Sequence, residues 1–303
     1  FVLINITVVM STITTIITIM ERKKIKNLNR RSSAKINLFL NVLFKRSDTY
    51  HQIRTIFSEI ELYDNINFTL TKNNDIKILS AKDFVNAKEN LIYKVALFIK
   101  KKYEVTNGVD IVLEKNIPIS AGLGGGSSNA AQTILALSDL WNLSLTEIEM
   151  QKIAENFGSD INFFLRGGSA LGEGRGEIVK SIDYIEVDNI LLVNPGFEIP
   201  SKEAYKVVNI SKNENTDWKK LIRFKDISYC YNKLEEGVCR NYPVIKQIIK
   251  YLQDNGADKA ILSGSGATVI GFCPDRKTAE KLSKYYSKKK YWNYITKTKR
   301  RTK

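Results

Sequence analysis

The chain alternates between strand-like and helix-like patterns of apolar positions. Residues 33–44 (SAKINLFLNVLF) alternate and then become continuously apolar, which predicts a largely buried strand. After a polar loop, residues 56–70 predict either a pair of strands or one bent strand. Apolar residues then recur at helical spacing over residues 90–103, and Asn90 is a suitable N-cap for that helix.

The same mixture continues through the middle of the chain. Residues 109–119 predict a strand that leads into a glycine-rich turn. Helices are predicted over residues 129–141 and 145–157, with Thr146 as the cap of the second. Residues 159–182 predict a loop, a short strand and a hairpin, because their glycines are typical of turns.

A break near residues 184–189 divides the pattern into two halves. A new strand begins after it, followed by three helical patterns, a strand–glycine turn–strand unit, a basic helix and a last strand. We therefore predict an α+β fold with two domains and a cleft between them. The N-terminal domain is assigned to residues 32–188 and the C-terminal domain to residues 189–303, after an N-terminal extension of residues 1–31.

The extension has two interpretations. Its first twenty residues carry no charge and residues 21–31 are strongly basic, which is compatible with a signal or anchor segment before a transit-like stretch. A plastid-type organelle is the location that this interpretation favours. The other interpretation starts the protein at Met20, just before the first motif, and predicts a cytoplasmic protein with no membrane association of its catalytic part.

Composition and charge exclude several classes of protein. With 303 residues and 43% hydrophobic content, the chain can bury a large core. Its three cysteines and single histidine argue against a disulfide framework or a zinc site, and favour a reducing compartment. The net charge of +15 comes largely from basic runs near the two ends, which are typical of solvated tails. We therefore predict no nucleic-acid partner.

The most informative motif is PISAGLGGGSS at residues 118–128. Four of its glycines fall within five positions, and residues 127–129 are N-cap types ahead of an apolar repeat. A glycine turn that opens a helix can bind an anion, because the first-turn N–H groups are unpaired and the helix dipole is positive there. The alternative, a flexible linker, is not usually followed at once by a capped amphipathic helix. The predicted ligand is a nucleotide phosphate.

Two common phosphate-binding motifs do not match this loop. A P-loop requires a lysine before its Ser or Thr, and no lysine lies between Lys115 and Lys152. The dinucleotide fingerprint requires a third glycine where this chain has Ser127.

Several blocks together resemble the kinases of the GHMP superfamily. In chain order they are AKINLFLNV (34–42), Tyr50-His51, the glycine loop, FGSDINFFLRGGSALGEGRGE (157–177), NPGFEIPS (194–201) and LSGSGAT (262–268). The resemblance covers residues 33–298. It implies a ribosomal-S5-like N-terminal domain and a ferredoxin-like C-terminal domain, with the active site in the cleft between them.

More narrowly, these blocks resemble the superfamily members that act in non-mevalonate isoprenoid synthesis. Those enzymes use ATP to phosphorylate the 2-hydroxyl of a cytidine diphosphate-linked methylerythritol. The resemblance implies ATP and Mg²⁺ as cofactors, this small molecule as substrate, and a monomer or homodimer. It also implies that the SGSG turn at residues 263–266 packs beside the glycine loop.

The catalytic pair implied by the resemblance is Asp160 and Lys35. Asp160 in GSDINFF would act as base or orient the substrate hydroxyl, and Lys35 in AKINL would keep Asp160 ionised and steady the transferred group. The alternative for each is a plain salt bridge. Lys35 opens an otherwise apolar run, and a buried lysine needs a partner.

The ATP site implied by the resemblance consists of the glycine loop and two residues of the adenine pocket. These residues are Pro118, Ile119, Ser120, Ala121, Gly122, Leu123, Gly124, Gly125, Gly126, Ser127, Ser128, Asn90 and Lys115. Asn90 could instead be only a helix cap, and Lys115 only a solvated lysine at a strand end. Ser127 or Ser128 could reach a Mg²⁺ ion, but the metal ligands stay undetermined because Asp160 is the one clear acidic candidate.

The substrate site implied by the resemblance holds the cytosine between aromatic groups. Tyr50 and His51 would pack against and hydrogen-bond the base, and Tyr205 would be a second stacking ring. Ser201 would supply a hydroxyl, and Asn37 would contact the polyol or diphosphate end. The alternative for His51 is a purely structural histidine.

Two other functions remain open on the sequence alone. One is another small-molecule GHMP kinase, which phosphorylates homoserine, mevalonate or galactose. None of these substrates contains a nucleobase on which Tyr50 and His51 could stack. The other is a nucleic-acid-binding module that uses the positive charge, although no single element in the middle of the chain concentrates it.

Overall fold

Two β-sheets with helices packed on them organise the structure, a computed structural model that describes residues 26–80, 89–210 and 215–300. The first sheet contains β1 (Asn27–Lys45), β2 (His51–Thr71), β3 (Ile76–Ser80), β4 (Gly108–Glu114), β5 (Ser169–Glu173), β6 (Ile178–Ser181) and β8 (Tyr231–Asn232). The second contains β7 (Ile190–Asn194), β9 (Lys259–Leu262), β10 (Val269–Phe272) and β11 (Trp292–Thr296). The mixed composition confirms the predicted α+β fold.

The helices fall into two groups along the chain. The first group is α1 (Leu91–Lys102), α2 (Gly125–Leu140), α3 (Glu147–Ala154) and α4 (Ile161–Arg166). The second is α5 (Ser201–Lys206), α6 (Asp217–Phe224), α7 (Glu235–Asn241), α8 (Pro243–Asp254) and α9 (Arg276–Lys288). Within the described ranges, every helix falls short of the length and apolarity that a membrane span requires.

The first sheet is built on one long antiparallel pair. β1 and β2 pair over almost their whole lengths, and β2 is one continuous strand that pairs with β4 through residues 65–71 and with β5 through residues 55–58. Residues 32–42 of β1 are buried on both faces, which explains their continuous apolar run. The strand order is β3-β4-β2-β1-β8, and β5 and β6 form a hairpin beside β2.

The second sheet has the order β11-β7-β10-β9, with all neighbours antiparallel. Along the chain it reads β7, helices, β9, β10, α9 and β11, which is the β-α-β-β-α-β arrangement of a ferredoxin-like domain. The amphipathic helix α8 buries Ile245, Ile248 and Leu252 in the cluster that also contains Val193 and Val269 of this sheet. The predicted ferredoxin-like C-terminal half is therefore confirmed.

The two halves share a hydrophobic core. Ile36 and Leu38 of β1 belong to the same buried cluster as Ile190 and Leu192 of β7. In addition, β8 comes from the second half of the chain and pairs in parallel with β1. This common core fixes the cleft between the two sheets. The division of the chain at residues 188 and 189 stays a prediction.

The structure differs from the sequence pattern at several elements. Residues 27–31, which we assigned to the extension, belong to β1, while residues 1–25, including Met20, lie outside the described residues. The predicted loop after residue 158 contains the short helix α4. Helix α2 begins at Gly125 rather than at residue 129. The prediction that residues 127–129 form its N-cap is therefore wrong.

Candidate active site

A glycine-rich loop after β4 forms the N-terminus of α2. Gly122 and Gly124 have φ angles of +74° and +69°, which glycine adopts without strain. Gly124 is the N-cap, and the Ser128 N–H donates to its carbonyl oxygen at 2.9 Å. The N–H groups of residues 125–127 therefore lie in the first turn, at the positive end of the helix dipole. This end of α2 can bind a phosphate group.

The turn at residues 263–266 packs directly on the glycine loop, as predicted. The Ser263 hydroxyl donates to the Gly122 carbonyl oxygen at 3.2 Å. A Cβ atom at Gly122 would overlap the Ser263 carbonyl oxygen, and one at Gly264 would lie 3.3 Å from Lys35 Nζ. The absence of side chains at these two glycines lets both loops close on Lys35.

Lys35 and Asp160 meet beside the glycine loop. Lys35 is buried in β1, and its Nζ lies 3.7 Å from Asp160 Oδ2. The ammonium also donates to the Gly122 carbonyl oxygen at 3.0 Å. Burial lowers the pKa of Lys35, and the charge of Asp160 acts in the opposite direction. Asp160 immediately precedes α4, so this short helix holds its carboxylate at the cleft.

A buried chain of hydrogen bonds continues from Lys35 into the core. Lys35 Nζ donates to Asn37 Oδ1, and Asn37 Nδ2 donates to Thr55 Oγ1, both at 2.7 Å. Thr55 Oγ1 in turn donates to the Phe39 carbonyl oxygen at 2.7 Å. Asn37 lines the cleft, as expected for a substrate-binding residue, but both ends of its amide are engaged within the protein.

An aromatic pair forms the other end of the cleft. The rings of His51 and Tyr205 stack with centroids 5.2 Å apart and an interplanar angle of 23°. Burial raises the pKa of the Tyr205 hydroxyl, and the nearby Asp160 charge adds to this effect. Burial also lowers the pKa of His51, and Lys45 lowers it further. The imidazole is therefore neutral near pH 7, with one nitrogen as donor and the other as acceptor.

Tyr50 and Ser201 line the same cleft as this aromatic pair. Tyr50 is 54% exposed, and the guanidinium of Arg175 lies 4.7 Å from the centroid of its ring. Ser201 is the first residue of α5, and its hydroxyl lies 3.0 Å from the Ser265 hydroxyl. Ser201 thereby links the aromatic end of the cleft to the turn that packs on the glycine loop.

Lys115 and Asn90 also line the cleft, and Lys115 lies beside Gly125 of the glycine loop. Lys115 Nζ donates to Asp64 Oδ2 at 2.6 Å and to the Ile117 carbonyl oxygen at 2.9 Å. Since Asp64 is fully buried, the alternative of a solvated lysine is wrong. Burial lowers the pKa of Lys115, and Asp64 opposes that shift. Asn90 caps α1 by accepting from the Ile92 N–H at 2.9 Å, and it also lines the cleft.

One cleft of about 1340 Å³ contains almost all the predicted site residues. This volume exceeds the roughly 300–1,000 Å³ of a typical small-molecule site and has room for two ligands. Lys35, Asn37, Tyr50, His51, Asn90, Lys115, Pro118, Ile119, Ser120, Ala121, Gly122, Gly124, Gly125, Gly126, Ser127, Asp160, Ser201 and Tyr205 line it. The side chains of Leu123 and Ser128 are fully buried instead, and Ser128 accepts from the Ser32 hydroxyl.

Sequence reasoning missed three residues of this site. Arg175 lines the cleft over Tyr50, and its position within the block 157–177 was a usable signal. Thr55 and Asp64 are buried polar residues within β2 that pair with residues far along the chain. No local pattern indicates such long-range partners.

Comparisons with known proteins agree with this geometry. Residues 90–168 match the N-terminal domain of the GHMP kinases, and residues 208–291 match their C-terminal domain. The fold and the site thus define a GHMP kinase.

Relatives narrow the class further. A 4-diphosphocytidyl-2-C-methyl-D-erythritol kinase from Clostridium novyi is 38% identical over 277 residues, which is 88% of this chain and 99% of the relative. A kinase of the same name from Caldanaerobacter subterraneus subsp. tengcongensis is 41% identical over 270 residues, 86% of this chain and 91% of the relative. A crystal structure of 4-(cytidine 5'-diphospho)-2C-methyl-D-erythritol kinase matches with a TM-score of 0.78 and 27% identity, covering 89% of this chain and 99% of the other. The chain belongs to the 4-diphosphocytidyl-2-C-methyl-D-erythritol kinase family.

Proposed function

We propose that this chain transfers the γ-phosphoryl group of ATP to the 2-hydroxyl of 4-diphosphocytidyl-2-C-methyl-D-erythritol, a step of non-mevalonate isoprenoid synthesis. The observation that supports this most is the convergence of three features on one cleft. The glycine loop, the Lys35–Asp160 pair and the His51–Tyr205 stack all line it. A kinase for a nucleotide-linked alcohol must bind the phosphates of ATP, activate the hydroxyl and recognise the base of its substrate, and each of these features suits one of those tasks.

ATP is held by its phosphates at the N-terminus of α2. The first-turn N–H groups of residues 125–127 bind the phosphate oxygens, and the helix dipole stabilises their charge. Asn90 and Lys115 line the same end of the cleft and contact the adenine side of the nucleotide. Lys115 is rigid there because Asp64 holds it in place.

The substrate hydroxyl reacts beside Asp160. Its oxygen forms a bond to the γ-phosphorus while the bond from that phosphorus to the bridging oxygen of ADP breaks. Asp160 orients the hydroxyl and accepts its proton. Lys35, fixed 3.7 Å away, forms an ion pair with the Asp160 carboxylate and stabilises the charge that develops on the transferred group.

The cytosine is recognised at the aromatic end of the cleft. Tyr50 and Tyr205 offer ring faces for stacking, each contributing about 1–3 kcal/mol in comparable sites. The neutral imidazole of His51 offers one donor and one acceptor to the polar edge of the base. Ser201 lies on the same side of the cleft and donates to the nucleotide portion of the substrate.

The donor set also fits Mg²⁺ that arrives with ATP. Within the described residues, no group of three or more His, Cys, Asp and Glu residues could hold a metal ion. Mg²⁺ commonly needs only one or two carboxylates in addition to substrate phosphates. Asp160 and the Ser127 hydroxyl both line the cleft and would hold the ion. When bound, it neutralises charge on the β- and γ-phosphates.

An ADP-release assay with the purified chain tests this proposal. Turnover is expected with ATP and the cytidine diphosphate-linked methylerythritol, and cytidine nucleotides should compete with that substrate. Turnover with homoserine, mevalonate or galactose in its place, without competition by cytidine nucleotides, would overturn the proposal. Cytoplasmic localisation, the absence of a nucleic-acid partner and a monomer or homodimer remain predictions.

A further inference from the structure

The hydrogen-bond chain behind Lys35 is almost completely buried. Lys35, Asn37 and Thr55 are 4%, 3% and 0% exposed, and the three bonds of the chain that ends at the Phe39 carbonyl oxygen are 2.7 Å long. In such an environment each donor needs its acceptor, because an unpaired buried polar group costs about 1–3 kcal/mol. The order of donors and acceptors along this chain is therefore fixed by its last member.

The Phe39 carbonyl oxygen determines that order. It can only accept, so the single hydroxyl hydrogen of Thr55 is donated to it. Thr55 Oγ1 then has only lone pairs left for Asn37, which must present its NH₂ group to Thr55. The amide oxygen of Asn37 consequently faces the Lys35 ammonium. A flipped amide would place two N–H donors against that cation.

The local backbone is built to place Thr55 there. The register between β1 and β2 shifts between Asn37 and Phe39, so a bulge lies at this point of β1. On the other side of β2, Gly172 of β5 pairs with Thr55, and a Cβ atom at Gly172 would lie 2.8 Å from Thr55 Cγ2. The threonine fits only because its neighbour on β5 has no side chain.

The consequence is a complete set of acceptors around Lys35. Its three N–H donors face Asn37 Oδ1, the Gly122 carbonyl oxygen and Asp160 Oδ2. Asn37 provides the one side-chain acceptor that approaches from the core. An error in the orientation of the Asn37 amide would move the ammonium away from the glycine loop and from Asp160.

We propose that Thr55 is a positioning residue that acts through Asn37 to fix the Lys35 ammonium between the glycine loop and Asp160. Asn37 is then chiefly a support for Lys35 rather than a contact to the polyol or diphosphate. This inference rests on the proposed kinase function, and it concerns kcat rather than the binding of either substrate.

The test compares Thr55→Val, which keeps the shape but removes the hydroxyl, with Thr55→Ser, which keeps the hydroxyl. Displacement of a catalytic group by about 1 Å can cost about 100-fold in rate, so T55V should lower kcat by about 10- to 100-fold. Both KM values should stay within about twofold, because no substrate contact is removed. T55S should restore most of the rate. Ser58→Ala is the matched control and should leave kcat unchanged. Ser58 also carries a buried hydroxyl on β2, but that hydroxyl faces Ser169 and takes no part in the hydrogen bonds that lead to Lys35.

A double-mutant cycle separates positioning from general destabilisation. If Thr55 acts through Asn37, T55V should cost nothing further in an Asn37→Ala background, whereas independent effects would multiply. Rates are measured below the thermal unfolding transition of each variant, and Thr55→Ala replaces T55V if the latter does not fold. A wild-type kcat in T55V, or an equal fold-loss in both backgrounds, would overturn the inference.

The outcome also distinguishes this inference from the proposed function. If the wild-type protein does not turn over the cytidine substrate, the proposed function fails whatever Thr55 does. A crystal structure of T55V then still tests the positioning role. The Lys35 ammonium should have left the Gly122 carbonyl oxygen, and an unchanged position would contradict the inference.

Discussion

Lys35 and Asp160 form an ion pair at the cleft in which one partner is almost buried and the other is partly exposed. Their charged atoms are 3.7 Å apart, yet the Lys35 side chain is 6% exposed and the Asp160 side chain 33% exposed. Hydrogen bonds to the Gly122 carbonyl oxygen and to Asn37 thus fix the lysine, while the Asp160 carboxylate stays accessible to an incoming hydroxyl. This asymmetry suits a base or orienting group supported by a buried cation.

Replacement of Asp160 by Asn should abolish most of the turnover. The amide has nearly the same shape but cannot accept the hydroxyl proton, so kcat should fall by about 10²–10⁴-fold, the usual contribution of a general base. ADP release at saturating ATP measures this. Asp254→Asn is the control, because Asp254 pairs with Lys250 on the exposed face of α8 and its replacement should leave kcat unchanged. Equal rates in the Asp160 variant and the wild type would contradict the assigned role.

The affinity for the cytidine substrate should depend on pH through His51. Burial and Lys45 hold the pKa of His51 below its ordinary value of 6.5, so the imidazole is neutral above that pH and gains a proton only below it. The KM for the cytidine substrate should be flat from pH 8 to about 6.5 and rise at lower pH, because the cation loses its acceptor nitrogen. A His51→Gln variant should remove this rise. A KM that falls on acidification would mean that the charged imidazole binds the cytosine, and would contradict this prediction.

A side chain at Gly122 should disrupt the contact between the two loops. Gly122→Ala combines a left-handed backbone with overlap of the Ser263 carbonyl oxygen, so it should cost more than the roughly 1–3 kcal/mol of backbone strain alone. It should also weaken ATP binding. Gly196→Ala is the matched control, because Gly196 has φ of +94° and no atom within 4 Å of an added Cβ. Chemical denaturation and ATP titration of both variants measure the difference, and equal losses would argue against the packing described.

Loss of the Lys115 charge should destabilise the fold. Asp64 is fully buried, so Lys115→Met leaves its carboxylate with only the backbone N–H groups of Asn116 and Ile117. Breaking a buried pair in this way typically costs about 3–5 kcal/mol of unfolding free energy.

The control for this variant is an exposed ion pair. Arg240→Ala removes the partner of Glu236 on the surface of α7 and should cost at most about 1 kcal/mol. Urea denaturation without nucleotide gives both values. Similar small losses in the two variants would show that Lys115 serves ATP binding alone.

The sequence allowed prediction of the elements whose signals are local. The apolar run of β1, the helix capped by Asn90 and the helix cap at Thr146 all follow from neighbouring residues, and all are present. The start of α2 was misplaced because a glycine in the left-handed region replaced a side-chain cap, so the serines that look like caps lie inside the helix.

The architecture of the site was less accessible to prediction. The Lys115–Asp64 pair joins residues 51 positions apart, and the Asn37–Thr55 hydrogen bond joins the neighbouring strands β1 and β2. Such contacts depend on strand register, which no local pattern determines. Lys35 and Asp160 were found only through the resemblance to GHMP kinases, since the 124 residues between them carry no signal that they meet.

A crystal structure with a non-hydrolysable ATP analogue and the cytidine diphosphate-linked methylerythritol tests the central claim most directly. The account predicts the γ-phosphate at the N-terminus of α2 and the substrate 2-hydroxyl about 2.6–3.2 Å from the Asp160 carboxylate. The cytosine should lie against Tyr50, His51 and Tyr205. A substrate hydroxyl bound away from Asp160, with the phosphates outside the glycine loop, would contradict it.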